Sequence, residues 1–425
     1  MEDTDRLLLR NGRVWRGKSF VNADVAIAGG KITQVAPSLP EDGSRVIDCS
    51  GLSLFPSFVD MHVHFREPGY SYKETIYLGS RAAAAGGFTT VCTMPNLNPV
   101  PDSRETLQTQ LDIIDRDAAI RVWPYASITR KRMGEELVDY DALAPYVAGF
   151  SDDGSGVQSE DVMRRAMEGI APTGKILAAH CEVNDLLRGG YIHDGRWCRT
   201  HGHKGICSES EWREVERDIK LAADTGCRLH ICHISTKESV ALLRDAKKDG
   251  LNVTGETAPH YLLLCDEDLQ DDGRFKMNPP LRSPSDRQAL LEGIADGTID
   301  VIATDHAPHS LEEKSRGLAL SAMGVVGLET AFAASYTALV ASGIVGIDRL
   351  VELMALRPRD ILGLPQTWLT PGDSADIAGI ALDRDFKVEG SGFVSKGKVS
   401  VFEGMTLSSV PVLTLHRGAV VSLRQ

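Results

Sequence analysis

Eight short apolar runs, rich in β-branched residues, recur along the central part of this 425-residue chain. They lie near residues 54–61, 88–94, 121–127, 146–151, 176–181, 228–234, 251–256 and 300–304. Stretches of helical character separate most of them, among them 73–85, 157–169, 209–225 and 237–248. Eight strands separated by helices over roughly 310 residues favour a closed (β/α)8 barrel over an open sheet. We therefore predict an α/β protein whose TIM-like barrel spans residues 54–366.

The two ends of the chain have a different pattern, of short strands joined by tight turns. The pairs Asn11-Gly12 and Gly29-Gly30 are favoured turn sequences between strand-like runs. Further strand-like runs lie on either side of Gly418. Because a β segment at each end flanks the central region, we predict that residues 1–53 and 367–425 pair into one small β-sandwich domain.

Composition narrows the class of protein. A net charge of −13 argues against a nucleic-acid-binding protein, since such proteins need a basic surface. No apolar run approaches the roughly 20 residues that a transmembrane helix needs, so no membrane segment is expected. Residues Met1–Arg6 are too acidic for a targeting peptide. The eight cysteines form no Cys-x-x-Cys pair, which is typical of reduced thiols in a cytoplasmic protein.

The most informative stretch lies at the first barrel strand. The apolar run 52–59 indicates one buried strand, and His62 and His64 follow it. Residues two apart on a strand point to the same side, so the two imidazoles can share one metal ion. Arg66 lies just beyond, with a guanidinium suited to an anionic group. The pattern indicates hydrolysis of a small, carboxylate-bearing substrate at a metal site.

Other polar residues lie at the strand ends, where barrel enzymes build their active sites. Strands 4, 5, 6 and 8 end in Asp152 and Asp153, His180, His233, and Asp305 respectively. Alone, His180 could be a core histidine and Asp305 a helix cap, but together the set predicts a binuclear metal centre. Such ligands suit zinc better than manganese or iron. His230 lies an odd number of residues from His233, so we expect it to face outward against a helix.

Several blocks of the sequence resemble the motifs of the dihydroorotases, a family of the amidohydrolase superfamily. The first block is His62-Val63-His64-Phe65-Arg66-Glu67-Pro68-Gly69. The others are Met94-Pro95-Asn96, Ser151-Asp152-Asp153-Gly154, Asn278-Pro279-Pro280-Leu281-Arg282, Thr304-Asp305-His306-Ala307-Pro308-His309 and Gly327-Leu328-Glu329-Thr330. Their order and spacing are similar to those of the long bacterial members, which use aspartate where many amidohydrolases use a carbamylated lysine.

The resemblance implies a cyclic amide hydrolase that converts L-dihydroorotate reversibly to N-carbamoyl-L-aspartate in de novo pyrimidine (UMP) biosynthesis. It implies one or two Zn²⁺ per subunit, with two expected. One ion would be bound by His62, His64 and Asp305, and the second by His180 and His233. The bridge between them would be Asp153, with Asp152 as the second choice. Homo-oligomers and an association with aspartate transcarbamoylase are also implied.

The same resemblance implies roles for the residues around the metals. The substrate α-carboxylate would be held by Arg66, Asn96 and His309. Asn278 would contact the pyrimidine ring. The metal would supply the hydroxide that attacks the ring carbonyl, and Asp305 would act first as general base and then as general acid.

Two parts of the chain depart from the family pattern. Ser321-Ala322-Met323-Gly324 stands where the family often has Ala-Pro-Phe-Gly. The insert 191–207 contains His193, Cys198, His201, His203 and Cys207. A structural zinc site is one interpretation of that insert, but the spacing fits no standard zinc motif, so a surface loop near the barrel mouth is preferred. The stretch 306–325 is the candidate for a loop that gates the site.

Two rival functions share parts of this pattern. A dihydropyrimidinase (hydantoinase) or allantoinase would have the same scaffold, but such enzymes usually carry the bridging lysine, and no lysine occurs between Lys131 and Lys175. An uncharged ring would also leave the Arg66 pocket unexplained. A non-catalytic homologue that supports aspartate transcarbamoylase should have lost metal ligands, whereas this chain keeps all the predicted ones.

Overall fold

The computed structural model describes residues 6–424, so the acidic N-terminal residues 1–5, on which the targeting-peptide prediction rests, lie outside the described chain. The strands are β1 (Arg6–Trp15), β2 (Phe20–Ala28), β3 (Lys31–Ala36), β4 (Arg45–Asp48), β5 (Ser53–Pro56), β6 (Phe58–Val63), β7 (Phe88–Thr93), β8 (Arg121–Pro124), β9 (Gly149–Phe150), β10 (Ile176–Ala179), β11 (Ile192–His193), β12 (Gly205–Ile206), β13 (Arg228–Ile231), β14 (Val253–Thr257), β15 (Val301–Ile302), β16 (Ile377–Lys387), β17 (Thr406–His416) and β18 (Ala419–Leu423).

The α-helices are α1 (Ile76–Ala85), α2 (Arg104–Asp117), α3 (Tyr140–Leu143), α4 (Glu160–Ile170), α5 (Arg196–His201), α6 (Glu209–Thr225), α7 (Lys237–Lys248), α8 (Pro259–Leu263), α9 (Pro284–Ala295), α10 (Leu311–Lys314), α11 (Gly317–Leu320), α12 (Ala331–Ser335), α13 (Ile347–Val351) and α14 (Arg357–Leu362). Short 3₁₀ turns lie at Arg130–Arg132, Ala144–Tyr146, Ala171–Thr173, Asn184–Leu186, Asp266–Asp268, Gly273–Phe275, Leu328–Thr330 and Gly390–Gly392. Two π-helical segments, Tyr336–Ala341 and Glu352–Leu356, extend α12 and α13. None of the helices in residues 6–424 is long and apolar enough to cross a membrane.

The predicted barrel is confirmed. Eight parallel strands pair in the orders β6-β7-β8 and β9-β10-β13-β14-β15. Bridges between Ala126 and Phe150 and between Val63 and His306 join the two groups at both edges, which closes the ring. In a closed parallel ring every strand ends at the same face, so polar residues that are far apart in sequence meet there.

The small β-domain built from both chain ends is also confirmed. One eight-stranded sheet runs β18-β17-β16-β5-β1-β2-β3, with β4 pairing to β1. The C-terminal strand β16 lies antiparallel to β5 of the N-terminal part, so the two ends of the chain share one sheet. The predicted domain boundaries at 53/54 and 366/367 stay a prediction.

Two strand predictions were wrong. The apolar run 52–59 is two strands, because β5 ends at Pro56 in the terminal sheet and β6 begins at Phe58 in the barrel. Both segments are buried, so hydropathy does not separate them, and the break follows a proline, which cannot donate to a ladder. The Asn11-Gly12 pair makes no hairpin. It forms an irregularity inside β1, which pairs with β2 on both sides of it, and Asn11 takes a left-handed φ of 61°.

Capping side chains explain where the helices begin. The predicted helices 209–225 and 237–248 match α6 and α7. The predictions 73–85 and 157–169 began too early, since Thr75 and Ser159 cap α1 and α4 by accepting from the N–H groups of Leu78 and Val162. A cap lies outside the helix it starts, so an apolar pattern alone misses the boundary.

Candidate active site

The six predicted metal ligands all lie at the carboxyl ends of barrel strands, and all are buried. They follow or end β6, β9, β10, β13 and β15: His62, His64, Asp153, His180, His233 and Asp305. Parallel strands bring these positions together because their carboxyl ends share one face. The structure therefore unites residues separated by up to 243 positions in the sequence.

Asp153 lies at the centre of this cluster. Its Oδ1 is 3.4 Å from His62 Nε2, 3.4 Å from His180 Nδ1 and 3.5 Å from His233 Nε2. Its Oδ2 is 3.5 Å from His64 Nε2. The carboxylate is thus shared by two groups of ligand atoms, one with the first histidine pair and one with His180 and His233.

The donor atoms fit two metal ions. Two ligands that each lie about 2.0–2.2 Å from a tetrahedral ion are separated by roughly 3.3–3.6 Å, which matches the distances around Asp153. Both His62 Nε2 and Asp153 Oδ1 are buried and have no hydrogen-bond partner. A buried polar atom without a partner is costly, and a cation satisfies both atoms at once.

Asp305 lies on the side of the first histidine pair. Its Oδ1 is 3.1 Å from His64 Nε2 and 3.5 Å from His62 Nε2. The alternative bridge, Asp152, is used elsewhere: its carboxylate accepts from the backbone N–H groups of Ile128 and Thr129 and from the Thr129 hydroxyl. Asp152 therefore links the end of strand β9 to the loop that contains Ile128 and Thr129, and it does not join the cluster.

Hydrogen bonds with neighbouring side chains orient the imidazole rings of His62 and His64. His62 Nδ1 lies 2.8 Å from Glu256 Oε1, and a carboxylate only accepts, so Nδ1 carries the proton and Nε2 is free for a metal. His64 Nδ1 lies 2.8 Å from Asn96 Oδ1, with the same consequence. Sequence reasoning missed Glu256. The signal was present, since Glu256 is an ionisable residue near the carboxyl end of the barrel strand β14.

The prediction for His230 was wrong. Its Nε2 lies 3.1 Å from Glu256 Oε2, so it shares that carboxylate with His62 and does not face a helix. The alternation argument failed because β13 ends at Ile231 and His233 has a left-handed φ of 34°. Period-two alternation does not extend through such a residue.

Three residues of this site have their backbone in the left-handed region. Arg66, His233 and Asp305 all have a positive φ, at 60°, 34° and 47°. Non-glycine residues in this region cost on the order of 1–3 kcal/mol each, and they persist where the surroundings fix them. The strain turns these side chains away from the strand direction and into the barrel mouth.

The charged groups of the cluster shift one another's pKa values. Burial would raise the pKa of Asp153, but His62, His180 and His233 hold it well below its usual range. Burial would lower the pKa of His180, yet Asp153 and Glu182 raise it to about 10. The Asp153 carboxylate and the imidazoles around it therefore shift one another's pKa values in opposite directions. A cation would displace protons from the imidazoles.

A cavity of about 220 Å³ lies above the cluster. Five of the six predicted metal ligands line it. So do all four residues predicted to bind substrate: Arg66, Asn96, Asn278 and His309. The guanidinium of Arg66 is buried, and its Nε donates to the Pro308 carbonyl at 3.3 Å. Within residues 6–424 no carboxylate forms a salt bridge with it. An unpaired buried cation on a cavity wall fits an anionic ligand.

The insert 191–207 does not form a metal site. It folds as β11, α5 and β12, where Trp197 stacks on His201 and His203, with ring centroids 4.1 and 5.1 Å apart. His203 Nδ1 is also 2.8 Å from the Tyr191 hydroxyl. Among the described residues, the histidines and cysteines of this insert do not converge on one point.

Comparisons with known proteins agree with this geometry. A family model described as Dihydro-orotase-like matches residues 51–239. A dihydroorotase of Fusobacterium nucleatum is 48% identical over 415 residues, which covers 97% of this chain and 98% of that protein. A dihydroorotase of Bacillus subtilis is 46% identical, with 97% of both chains covered.

The chain belongs to the dihydroorotase family. Solved structures of the wider fold are also similar: an L-hydantoinase (dihydropyrimidinase) from Arthrobacter aurescens has a TM-score of 0.87 at 26% identity, covering 99% of this chain and 96% of that one. A D-hydantoinase has a TM-score of 0.86 at 21% identity, covering 98% and 95%. Its identity is low enough that it shows the shared barrel alone. The family assignment therefore rests on the much closer sequence relatives.

Proposed function

We propose that this chain is a dihydroorotase, which hydrolyses L-dihydroorotate reversibly to N-carbamoyl-L-aspartate in de novo pyrimidine biosynthesis. The observation that carries the proposal is the buried Arg66 guanidinium on the wall of the cavity that holds Asp153 and Asp305. The substrate has one carboxylate and one cyclic amide bond to be broken. The cavity offers a cation for the first and a ligand cluster for the second.

The ligand cluster fits two Zn²⁺ ions per chain, bridged by Asp153. His62, His64 and Asp305 would complete one ion's ligands, and His180 with His233 the other's. A divalent cation held here supplies an activated water at neutral pH and polarises the amide carbonyl. The imidazole and carboxylate donors favour zinc.

The cavity wall would orient the substrate. Arg66 uses Nε on Pro308, which leaves its terminal nitrogens for the carboxylate. Asn96 Oδ1 accepts from the Nδ1–H of His64, so the amide N–H groups of Asn96 remain as donors. Asn278 donates to Glu182 Oε1 at 2.9 Å, while its own Oδ1 is buried and unpaired. That oxygen suits a ring N–H of the substrate.

Asp305 would move the proton. Burial would raise its pKa, but His64 and His62 lower it, so the carboxylate is ionised at neutral pH and ready to accept. It would take the proton of the attacking water and give it to the ring nitrogen as the C–N bond breaks. In ring closure the same group works in the reverse order.

The substrate assay separates this proposal from a hydantoinase. Purified protein would be assayed on L-dihydroorotate, dihydrouracil and allantoin, with Arg66→Gln as the variant and the surface change Arg116→Gln as control. We expect turnover of L-dihydroorotate alone, and a KM raised roughly 10–100-fold in Arg66→Gln, because a charge-assisted contact is lost. Turnover of dihydrouracil that is insensitive to Arg66→Gln would make the protein a hydantoinase.

We also propose a cytoplasmic, homo-oligomeric enzyme that can associate with aspartate transcarbamoylase. The free cysteines at all eight positions support a reducing compartment. The complete ligand set supports an active enzyme in such a complex, as opposed to a non-catalytic partner. Size-exclusion chromatography of the protein with and without purified aspartate transcarbamoylase tests the assembly, and elution as an unchanged monomer in both runs would contradict it.

A further inference from the structure

We propose that Lys73 is a positioning residue for the substrate carboxylate, because it fixes His309 as the neutral tautomer protonated on Nε2. Lys73 lies four residues beyond the motif that ends at Gly69. The inference deepens the proposed function and rests on it. It concerns which atom of His309 can donate a hydrogen bond into the cavity.

The hydrogen bonds of His309 define its tautomer from both sides. Lys73 Nζ lies 3.1 Å from His309 Nδ1, and an ammonium can only donate, so Nδ1 must accept. His309 Nε2 lies 2.7 Å from the Met323 carbonyl, which can only accept, so Nε2 must carry the proton. The two contacts are independent and require the same form of the ring.

The surroundings keep this ring neutral. Burial lowers the pKa of His309 to about 3, and the charges of Arg66 and Lys73 act in the same direction. Arg66 Nη2 is 3.5 Å from His309 Nε2, so the two donors lie side by side on one wall of the cavity. A substrate carboxylate placed there would receive N–H groups from Arg66 and would share the Nε2–H of His309 with the Met323 carbonyl.

Lys73 is itself held in place by the segment that follows His309. Its Nζ is 2.9 Å from Glu313 Oε1, which also accepts from the Tyr72 hydroxyl. Glu313 Oε2 accepts from the backbone N–H of Ser310 at the start of α10. Glu313 therefore holds Lys73 against His309.

Removing the ammonium would reverse the tautomer, because a proton on Nδ1 could then bind the charged Glu313 carboxylate, a stronger acceptor than the neutral Met323 carbonyl that faces Nε2. Glu313 Oε2 is only 3.6 Å from His309 Nδ1, and without Lys73 it is the nearest acceptor for a proton on that atom. A ring protonated on Nδ1 would present the Nε2 lone pair to the cavity. A lone pair repels a carboxylate where an N–H would bind it, so substrate affinity would fall while the metal cluster stays intact.

The test combines kinetics with a direct observation of the ring. Lys73→Met removes the ammonium, Lys73→Arg keeps a donor, and the exposed Lys396→Met is the matched control. ¹⁵N NMR of histidine-labelled protein, with His309→Gln for assignment, reads the tautomer without substrate. In Lys73→Met we expect the proton to move to Nδ1, the KM for L-dihydroorotate to rise roughly 10–100-fold, and kcat to change less than about threefold. Lys73→Arg should restore most of the affinity.

Several outcomes are decisive. An unchanged tautomer in a folded Lys73→Met protein would overturn the proposal, and so would an unchanged KM. A variant with normal metal content but an altered kcat alone would assign Lys73 to a different step. Absence of L-dihydroorotate turnover in the unmodified protein would instead reject the proposed function, a result that the tautomer measurement does not depend on.

Discussion

Two regions of this molecule are rich in histidine, and only one of them builds a ligand cluster. At the barrel mouth four histidines converge on Asp153 with separations of 3.4–3.5 Å. In the insert 191–207 three histidines and two cysteines lie within a much shorter stretch of chain, yet Trp197 stacks on two of the histidines and the cysteines point elsewhere.

The difference lies in the scaffold beneath each region. Parallel strands end at one face, so each strand delivers its terminal side chain to a common centre. The insert consists of the short helix α5 between two two-residue strands, and its side chains point in different directions. A metal site therefore depends on converging geometry more than on local density of ligands. If this contrast holds, substitutions at the barrel mouth should have the largest effects and substitutions in the insert the smallest.

Replacement of the proton-transfer group at the barrel mouth should have the largest effect. In Asp305→Asn the carboxylate is lost while the other ligands remain, so kcat for L-dihydroorotate should fall by roughly 10²–10⁴-fold. Steady-state kinetics with metal analysis of the same sample measures this. The surface change Asp296→Asn, which alters contacts with Arg244 and with the backbone N–H of Thr298, is the control. Full activity in Asp305→Asn would reject the assignment.

The carboxylate behind the ligands should matter next. Glu256→Gln weakens the acceptor that orients His62, so metal affinity should fall by roughly 10–100-fold. Titration of apo-protein with Zn²⁺ in a competing chelator gives the affinity, and Glu216→Gln on the surface of α6 serves as the matched control. Equal affinities in the two variants would show that Glu256 does not orient a ligand.

In the insert, His193 should make the free energy of unfolding depend on pH, and it should leave catalysis unaffected. Burial, aided by Arg282, lowers the pKa of His193 from 6.5 to about 4. The unfolded chain therefore binds a proton that the folded chain does not, and stability should fall by about 1–3 kcal/mol as pH drops from 6.5 to 4. Urea unfolding across that range measures the slope. His193→Gln should flatten it and the exposed His201→Gln should not; identical slopes would contradict the stated cause.

The smallest effect is expected where the sequence most resembled a second zinc site. His203→Gln and Cys198→Ser should leave metal content and kcat unchanged, and stability should fall by only about 1 kcal/mol through the lost contacts with Tyr191 and the local backbone. Metal analysis and thermal unfolding of each variant measure these quantities. Loss of one equivalent of metal in either variant would revive a structural zinc site in the insert.

Much of this organisation could be predicted from the sequence, and the exceptions have physical reasons. The barrel and the strand-end residues follow from hydrophobic periodicity and from the common face of parallel strands. The division of residues 52–59 between two sheets could not be predicted from hydropathy, because both strands are buried. His230 was misplaced because a left-handed residue interrupts the alternation. Glu256 and Lys73 were missed because each acts through another side chain, and such contacts depend on tertiary packing.

The metal content of Asp153→Ala, set beside that of the unmodified protein and of His203→Gln, tests the central claim most directly. Each would be purified in parallel and measured by mass spectrometry of the bound metal per chain. The proposed bridge predicts two divalent ions in the unmodified protein, fewer than one in Asp153→Ala and two in His203→Gln. Two ions retained by a folded Asp153→Ala protein would contradict the account of the barrel mouth.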